Sequence, residues 1–139
     1  MSTRARAVLA VMLVLPLLAL LACGDDDPAG PGGTTDTTAP QSVGTDPTSN
    51  DNGVGVSEEI RVTFSEAMKT SSATGNVTLS VGSVTDLTWE NGDRTLVIDH
   101  TPWPEGTQVT VTIGSGIEDA AGNALGSDFV FAFWTDTSQ

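Results

Sequence analysis

From about residue 54 onward the chain alternates apolar and polar side chains in short runs, and few folds tolerate that pattern. A period of two belongs to extended backbone with one buried and one wet face. Ile60, Val62 and Phe64 alternate with Glu59, Arg61 and Thr63, and Val77, Leu79 and Val81 with Thr78 and Ser80. Leu87 and Trp89 oppose Asp86, Thr88 and Glu90; Leu96 and Ile98 continue the scheme. Val109, Val111 and Ile113 then oppose Thr110 and Thr112, and Phe129, Phe131 and Phe133 close the series. A short strand near Val54–Val56 brings the expectation to about seven strands. The breaks carry turn chemistry: Asn91-Gly92-Asp93 suits a tight hairpin, because Asn and Gly tolerate positive φ. Pro102, Pro104 and Gly106, and later Gly122-Asn123, mark two further breaks. The one segment that reads as helical is the single turn Ser65-Glu66-Ala67-Met68. Short strands with regular turns predict an all-β fold, an immunoglobulin-like two-sheet β-sandwich.

The first third of the chain reads differently. Arg4 and Arg6 precede 15 residues, Ala7 to Leu21, that are apolar except for Pro16. A spanning helix takes about 20 apolar residues, so this run predicts a signal-peptide core instead. It ends in Leu20-Leu21-Ala22-Cys23-Gly24, which resembles the lipobox of bacterial lipoproteins, with Leu21 larger than is usual at its place. The resemblance implies a signal peptide over 1–22, cleavage before Cys23, and covalent lipid on the Cys23 sulfur and amine. Attachment to the cell membrane or outer membrane follows, on a periplasmic or cell-surface face. Several acyl chains hold far more firmly than one, since each buried methylene adds about 0.8 kcal/mol. Residues 23–37 then read as the lipidated cysteine and a disordered acidic and Gly/Pro/Thr linker, followed by a folded domain over 38–136. Asp25-Asp26-Asp27 resembles the acidic signals that direct some lipoproteins outward; a solvated spacer is the plainer reading.

Charge removes several function classes. Of 5 Lys and Arg, two lie in the leader, leaving 3 against 18 Asp and Glu. Such an excess excludes binding to nucleic acid through its phosphates and docking on anionic lipid by charge. Cys23 is the only cysteine, so no intrachain disulfide and no cysteine metal site can form.

Several segments of the folded part resemble the SbsA-type bacterial Ig-like domain. Ile60-Arg61-Val62-Thr63-Phe64-Ser65-Glu66-Ala67-Met68 is similar to its leading signature, and Ile117-Glu118-Asp119-Ala120-Ala121-Gly122-Asn123-Ala124-Leu125 to its closing one. Leu87-Thr88-Trp89, Arg94 to Ile98, and Pro104-Glu105-Gly106-Thr107 match between them. Val109 and Trp134 depart from the family's usual residues without threatening the fold. The resemblance implies a sandwich module of surface-layer, adhesin and secreted proteins, and it implies no single activity.

Candidate sites are few. His100 is the lone histidine and no G-x-S-x-G elbow occurs, so no enzyme is predicted. Hard cations want carboxylate and amide oxygens, and Asp51, Glu66, Asp119 and Asn123, gathered from separate loops, are the candidate ligands for calcium. The alternative for Asp119 is a turn aspartate that accepts backbone N–H bonds; for Glu66 it is a helix-start acid. Trp89 reads as core and Trp103, between two prolines, as a plug for one end of the sandwich. Val130 and Trp134 share the strand face opposite the phenylalanines. Either the N-terminal segment covers that face, or the two residues form an interaction surface for an envelope or surface protein. The leading expectation is a lipid-anchored, non-catalytic envelope module with a structural, adhesive or protein-interaction role. The alternative is a module that binds calcium or carbohydrate through its loops.

Overall fold

The alternating runs form eight strands in the computed structural model, which describes residues 35–138. The leader expected over 1–22, Cys23 with its expected lipid, and most of the expected linker lie outside the described residues. The strands are β1 (Ser42–Asp46), β2 (Asn52–Val54), β3 (Ile60–Phe64), β4 (Val77–Leu79), β5 (Val84–Glu90), β6 (Thr95–His100), β7 (Gln108–Ile113) and β8 (Phe129–Thr135). They make two four-stranded sheets, ordered β1-β3-β6-β5 and β2-β8-β7-β4. This is the strand arrangement of an immunoglobulin sandwich, with the first strand divided between the sheets. The chain changes sheets just after β1, at Asp46-Pro47, whose peptide is cis. Neighbouring strands are antiparallel except β2 and β8, which run parallel.

Three details differ from the expectation. The eighth strand is β1, whose residues include just one large apolar side chain, Val43, and that one is exposed. The strand expected at Val54–Val56 lies at Asn52–Val54. Residues 65–68 are not a helical turn. Met68 instead forms an isolated β-bridge with Asp119, and the single turn of 3-10 helix comes later, at Thr70–Ala73. Ser65-Glu66 has the composition of a helix start, but long-range partners claim the backbone of the segment: Ser65 N–H donates to Gln41 O, Met68 N–H to Asp93 O, and Ala67 O accepts from Ala120 N–H.

The core sits where the alternation puts it. Ile60, Val62 and Phe64 of β3, Leu96 and Ile98 of β6, Val109, Val111 and Ile113 of β7, and Phe131 and Phe133 of β8 are all buried. Each such side chain contributes about 1.5–3 kcal/mol on leaving water. Trp103 caps one end: it is 3% exposed, edge-on to Phe133 at 5.2 Å and stacked on His100 at 3.5 Å between ring centroids. His100 closes β6 with both ring nitrogens 2.8 Å from carbonyl oxygens, those of Thr101 and Glu58. Trp89 is half-buried, packed toward Phe64 at 6.1 Å, with its indole N–H donating to the Thr70 carbonyl. The β5–β6 hairpin turns as expected: Asn91, Gly92 and Asp93 all take positive φ, and Arg94 N–H donates to Glu90 O at 3.1 Å.

Candidate functional site

The two signature segments meet at one end of the sandwich. Lys69 N–H donates to Glu118 O and Ala120 N–H to Ala67 O, so the 65–69 and 117–121 stretches are joined backbone to backbone. Residues 119–123 close into a loop, with Asp119 N–H donating to Asn123 O and Gly122 N–H to Asp119 O. Gly122 sits at φ +96, which glycine reaches without strain. At the loop's centre is the Asp119 carboxylate, 0% exposed. Its Oδ1 accepts from Ala121 N–H and Asn123 N–H at 2.8 Å each, and its Oδ2 from the Asn123 amide at 2.8 Å. Burial alone would raise the Asp119 carboxyl, but the bonds from Asn123, Ala121 and Gly122 outweigh it and hold the group below the usual range. The turn-aspartate alternative thus describes these bonds well.

Two further carboxylates approach it. One oxygen each from Asp36, Glu66 and Asp119 lie within 4.8 Å of one another. Burial pushes the Glu66 carboxyl above its ordinary range, and a side-chain hydrogen bond with Asp36 and the charges of Asp36 and Asp119 push the same way, while Arg94 opposes them. Two carboxyls share a hydrogen bond only when one of them carries a proton. An all-oxygen group of this kind could hold a metal, and it suits hard cations. The structure therefore brings together Glu66, Asp119 and Asn123, with Asn123 acting as a clamp whose amide also reaches Asp36 O at 3.1 Å. Asp36 is a member that sequence reasoning missed. Asp51 does not belong to the group: its carboxylate accepts from Thr48 N–H at 2.8 Å, closing the turn that leads into β2.

The outward face of β8 forms a second region. Val130 is 55% and Trp134 43% exposed, so among the described residues nothing covers them. The stretch leading into β2 pairs with the edge of β8, where Asn50 N–H donates to Ala132 O and Trp134 N–H to Asp51 O, and leaves the outward face itself open among the described residues. Gln108, Thr110 and Thr112 of β7 stand beside Trp134, Ala132 and Val130, and Thr78 of β4 stands beside Thr112. None of these side chains is charged. At the Trp134 end is a hollow of about 260 Å³, lined by Asn52, Gly53, Gly106, Trp134 and residues 135–137.

The family model for the bacterial Ig-like domain matches residues 36–135. The chain belongs to this family. No curated protein sequence matches the chain. Among solved structures it is similar to the S-layer protein rSbsC(31-844), with 15% identity, a TM-score of 0.56, and coverage of 73% of this chain and 14% of that one. Surface layer protein SbsC, domains 1-6, gives the same values. CopC from Methylosinus trichosporium OB3b is similar at 14% identity and TM-score 0.55, with 72% of this chain and 96% of that chain covered. The chain spans about a seventh of the length of the two S-layer structures. At such identities these likenesses establish the sandwich fold and nothing finer.

Proposed function

We propose that this Ig-like domain is a lipid-anchored cell-envelope module with a non-catalytic structural, adhesive or protein-interaction role. One observation carries the reading: the outer face of sheet β2-β8-β7-β4 presents Val130 and Trp134 to solvent among uncharged neighbours, which is the make-up of a contact surface. The signature side chains, by contrast, are engaged in bonds that hold loops together. Anchoring rests on Ala22-Cys23 and the apolar run before it, and similarity to S-layer structures supports an envelope setting. The test is fractionation of cells that express the chain and its Cys23→Ser variant. The wild type is expected in the membrane fraction and accessible to protease added to intact cells. The variant should be released or retain its leader; a variant processed and membrane-bound like the wild type would overturn the anchor.

A second reading, that calcium binds through Asp36, Glu66 and Asp119, is favoured by the convergence of their oxygens. Calcium would offset the burial and the neighbouring carboxylate charges that raise Glu66, so added calcium should raise the melting temperature and chelator should lower it. Equal melting in calcium and chelator would rule it out.

A further inference from the structure

We propose that the hollow beside Trp134 binds one ring of an uncharged glycan. The inference rests on the adhesive form of the function proposed above and names the ligand class that surface takes. A pyranose has a face of C–H groups and a rim of hydroxyls, and the hollow offers a partner for each. Trp134, at 43% exposure, presents a large, rigid apolar surface with a polar N–H. Around it stand the exposed residues Asn52, whose amide also donates to Asn50 O at 3.1 Å, and Thr137, and the Asp136 carboxylate, which accepts from Ser138, completes the polar rim.

Size and charge narrow the class. A hollow of about 260 Å³ lies below the range of about 300–1,000 Å³ typical of drug- and cofactor-sized pockets, so it fits a single small ring. No Lys or Arg lines it, and the neighbouring face carries no charge, so phosphates and acidic sugars find no partner in a chain with 18 acidic residues. The floor is already rigid. Asp136 N–H donates to Val54 O at 2.9 Å, Gly106 N–H to Asp136 O at 3.0 Å, and Thr107 N–H to the Thr135 hydroxyl at 2.8 Å. Little order remains to be imposed when a ligand enters. Two glycines line the walls: Gly53 leaves open space beside it, while the Thr137 methyl packs close against Gly106.

A second copy of the chain fits the face less well. A stable dimer buries about 800 Å² per partner around an apolar centre. Among the described residues, Val130 and Trp134 are the only large apolar side chains strongly exposed on this face, set among threonines and a glutamine.

The test uses the full-length chain in a sugar-free detergent, titrated with cellotriose, maltotriose and chitotriose into the tens-of-millimolar range. Tryptophan fluorescence and its quenching by iodide report on Trp134, because Trp103 is buried and Trp89 half-buried. The expected result is a saturable change with at least one trisaccharide, together with protection from iodide. Measured by titration calorimetry, since the variant lacks the fluorescent reporter, Trp134→Ala should weaken binding at least about tenfold, a loss of about 1.4 kcal/mol. Asn52→Ala should weaken it several-fold, with melting unchanged in both variants. No saturable response to any of the three sugars, or equal binding by Trp134→Ala, overturns the proposal. So does a dimer in sedimentation that Trp134→Ala dissolves without any sugar response. Because the titration does not depend on Cys23, its failure leaves the anchoring test standing, and the reverse holds.

Discussion

The outer faces of the two sheets differ in how they meet water. On β1-β3-β6-β5, Arg61 lies between Glu59, at 2.8 Å, and Glu90, at 3.5 Å. Val97 is the register partner of Arg61 and stays 4% exposed although it points away from the core. Asn91 and Thr63 likewise lie against Thr95, which is 3% exposed. Long side chains thus roof this face with their stems. On β2-β8-β7-β4 the outward side chains are threonine, alanine and glutamine, too short or too sparse to roof anything. Val130 and Trp134 stand open there. The first sheet carries charge and cover on its outward side, with Val43 of its edge strand β1 as its one strongly exposed large apolar side chain among the described residues, whereas the second leaves two such side chains among uncharged neighbours.

The largest effect expected bears on β8, whose two sides should behave as opposites. Phe133→Ala removes a fully buried ring and should cost about 4 kcal/mol in urea unfolding. A cost near zero would mean that the inward and outward sides are misassigned. Asp119→Ala should follow at about 3 kcal/mol, since it strands donors from Ala121 and Asn123 inside the protein. Unlike the charges on the roofed face, this one is structural, and its loss should not be rescued by salt.

The pH profile sharpens that distinction. Glu66 titrates above its unfolded value, so its contribution is fully present below that value and lost as pH rises through the raised one. Asp119 titrates below its unfolded value, so its contribution is present above that value and lost as pH falls through the lowered one. Melting temperature should therefore peak in mildly acid solution, between the two. Glu66→Gln should flatten the alkaline decline, and an unchanged profile would contradict the shared Asp36–Glu66 bond.

Arg61→Ala should lower stability measurably but less than either substitution above, mostly by uncovering Val97, with little dependence on salt. Smallest of all, Trp134→Ala should change stability by less than about 0.5 kcal/mol. If it destabilises as much as Arg61→Ala, the two faces are not different in kind.

Much of the sandwich is visible in the alternation, because burial on one face leaves a period of two in every strand that supplies the core. β1 leaves no such trace. Ser42, Val43, Gly44, Thr45 and Asp46 bury nothing large, and backbone pairing to β3 defines the strand. The acidic group is half legible. Glu66, Asp119 and Asn123 belong to recognisable segments, whereas Asp36 sits in a Thr-rich stretch that reads as linker, and its partners are far along the chain. Asp51 looks equivalent to them by composition, yet local turn geometry claims its carboxylate. Exposure of Trp134 was also undecidable from pattern, since a strand apolar on both sides is equally consistent with a cover and with a contact.

The parallel pairing of β2 with β8 has a mechanical consequence. Backbone bonds flank and extend this pairing, among them Asn50 N–H to Ala132 O at 2.7 Å, Trp134 N–H to Asp51 O at 2.8 Å, and Asp136 N–H to Val54 O at 2.9 Å. Because the strands run the same way, tension applied before β2 and after β8 pulls them past each other lengthwise. The bonds are then loaded together, as in a lap joint, instead of parting one at a time as in a peeled hairpin.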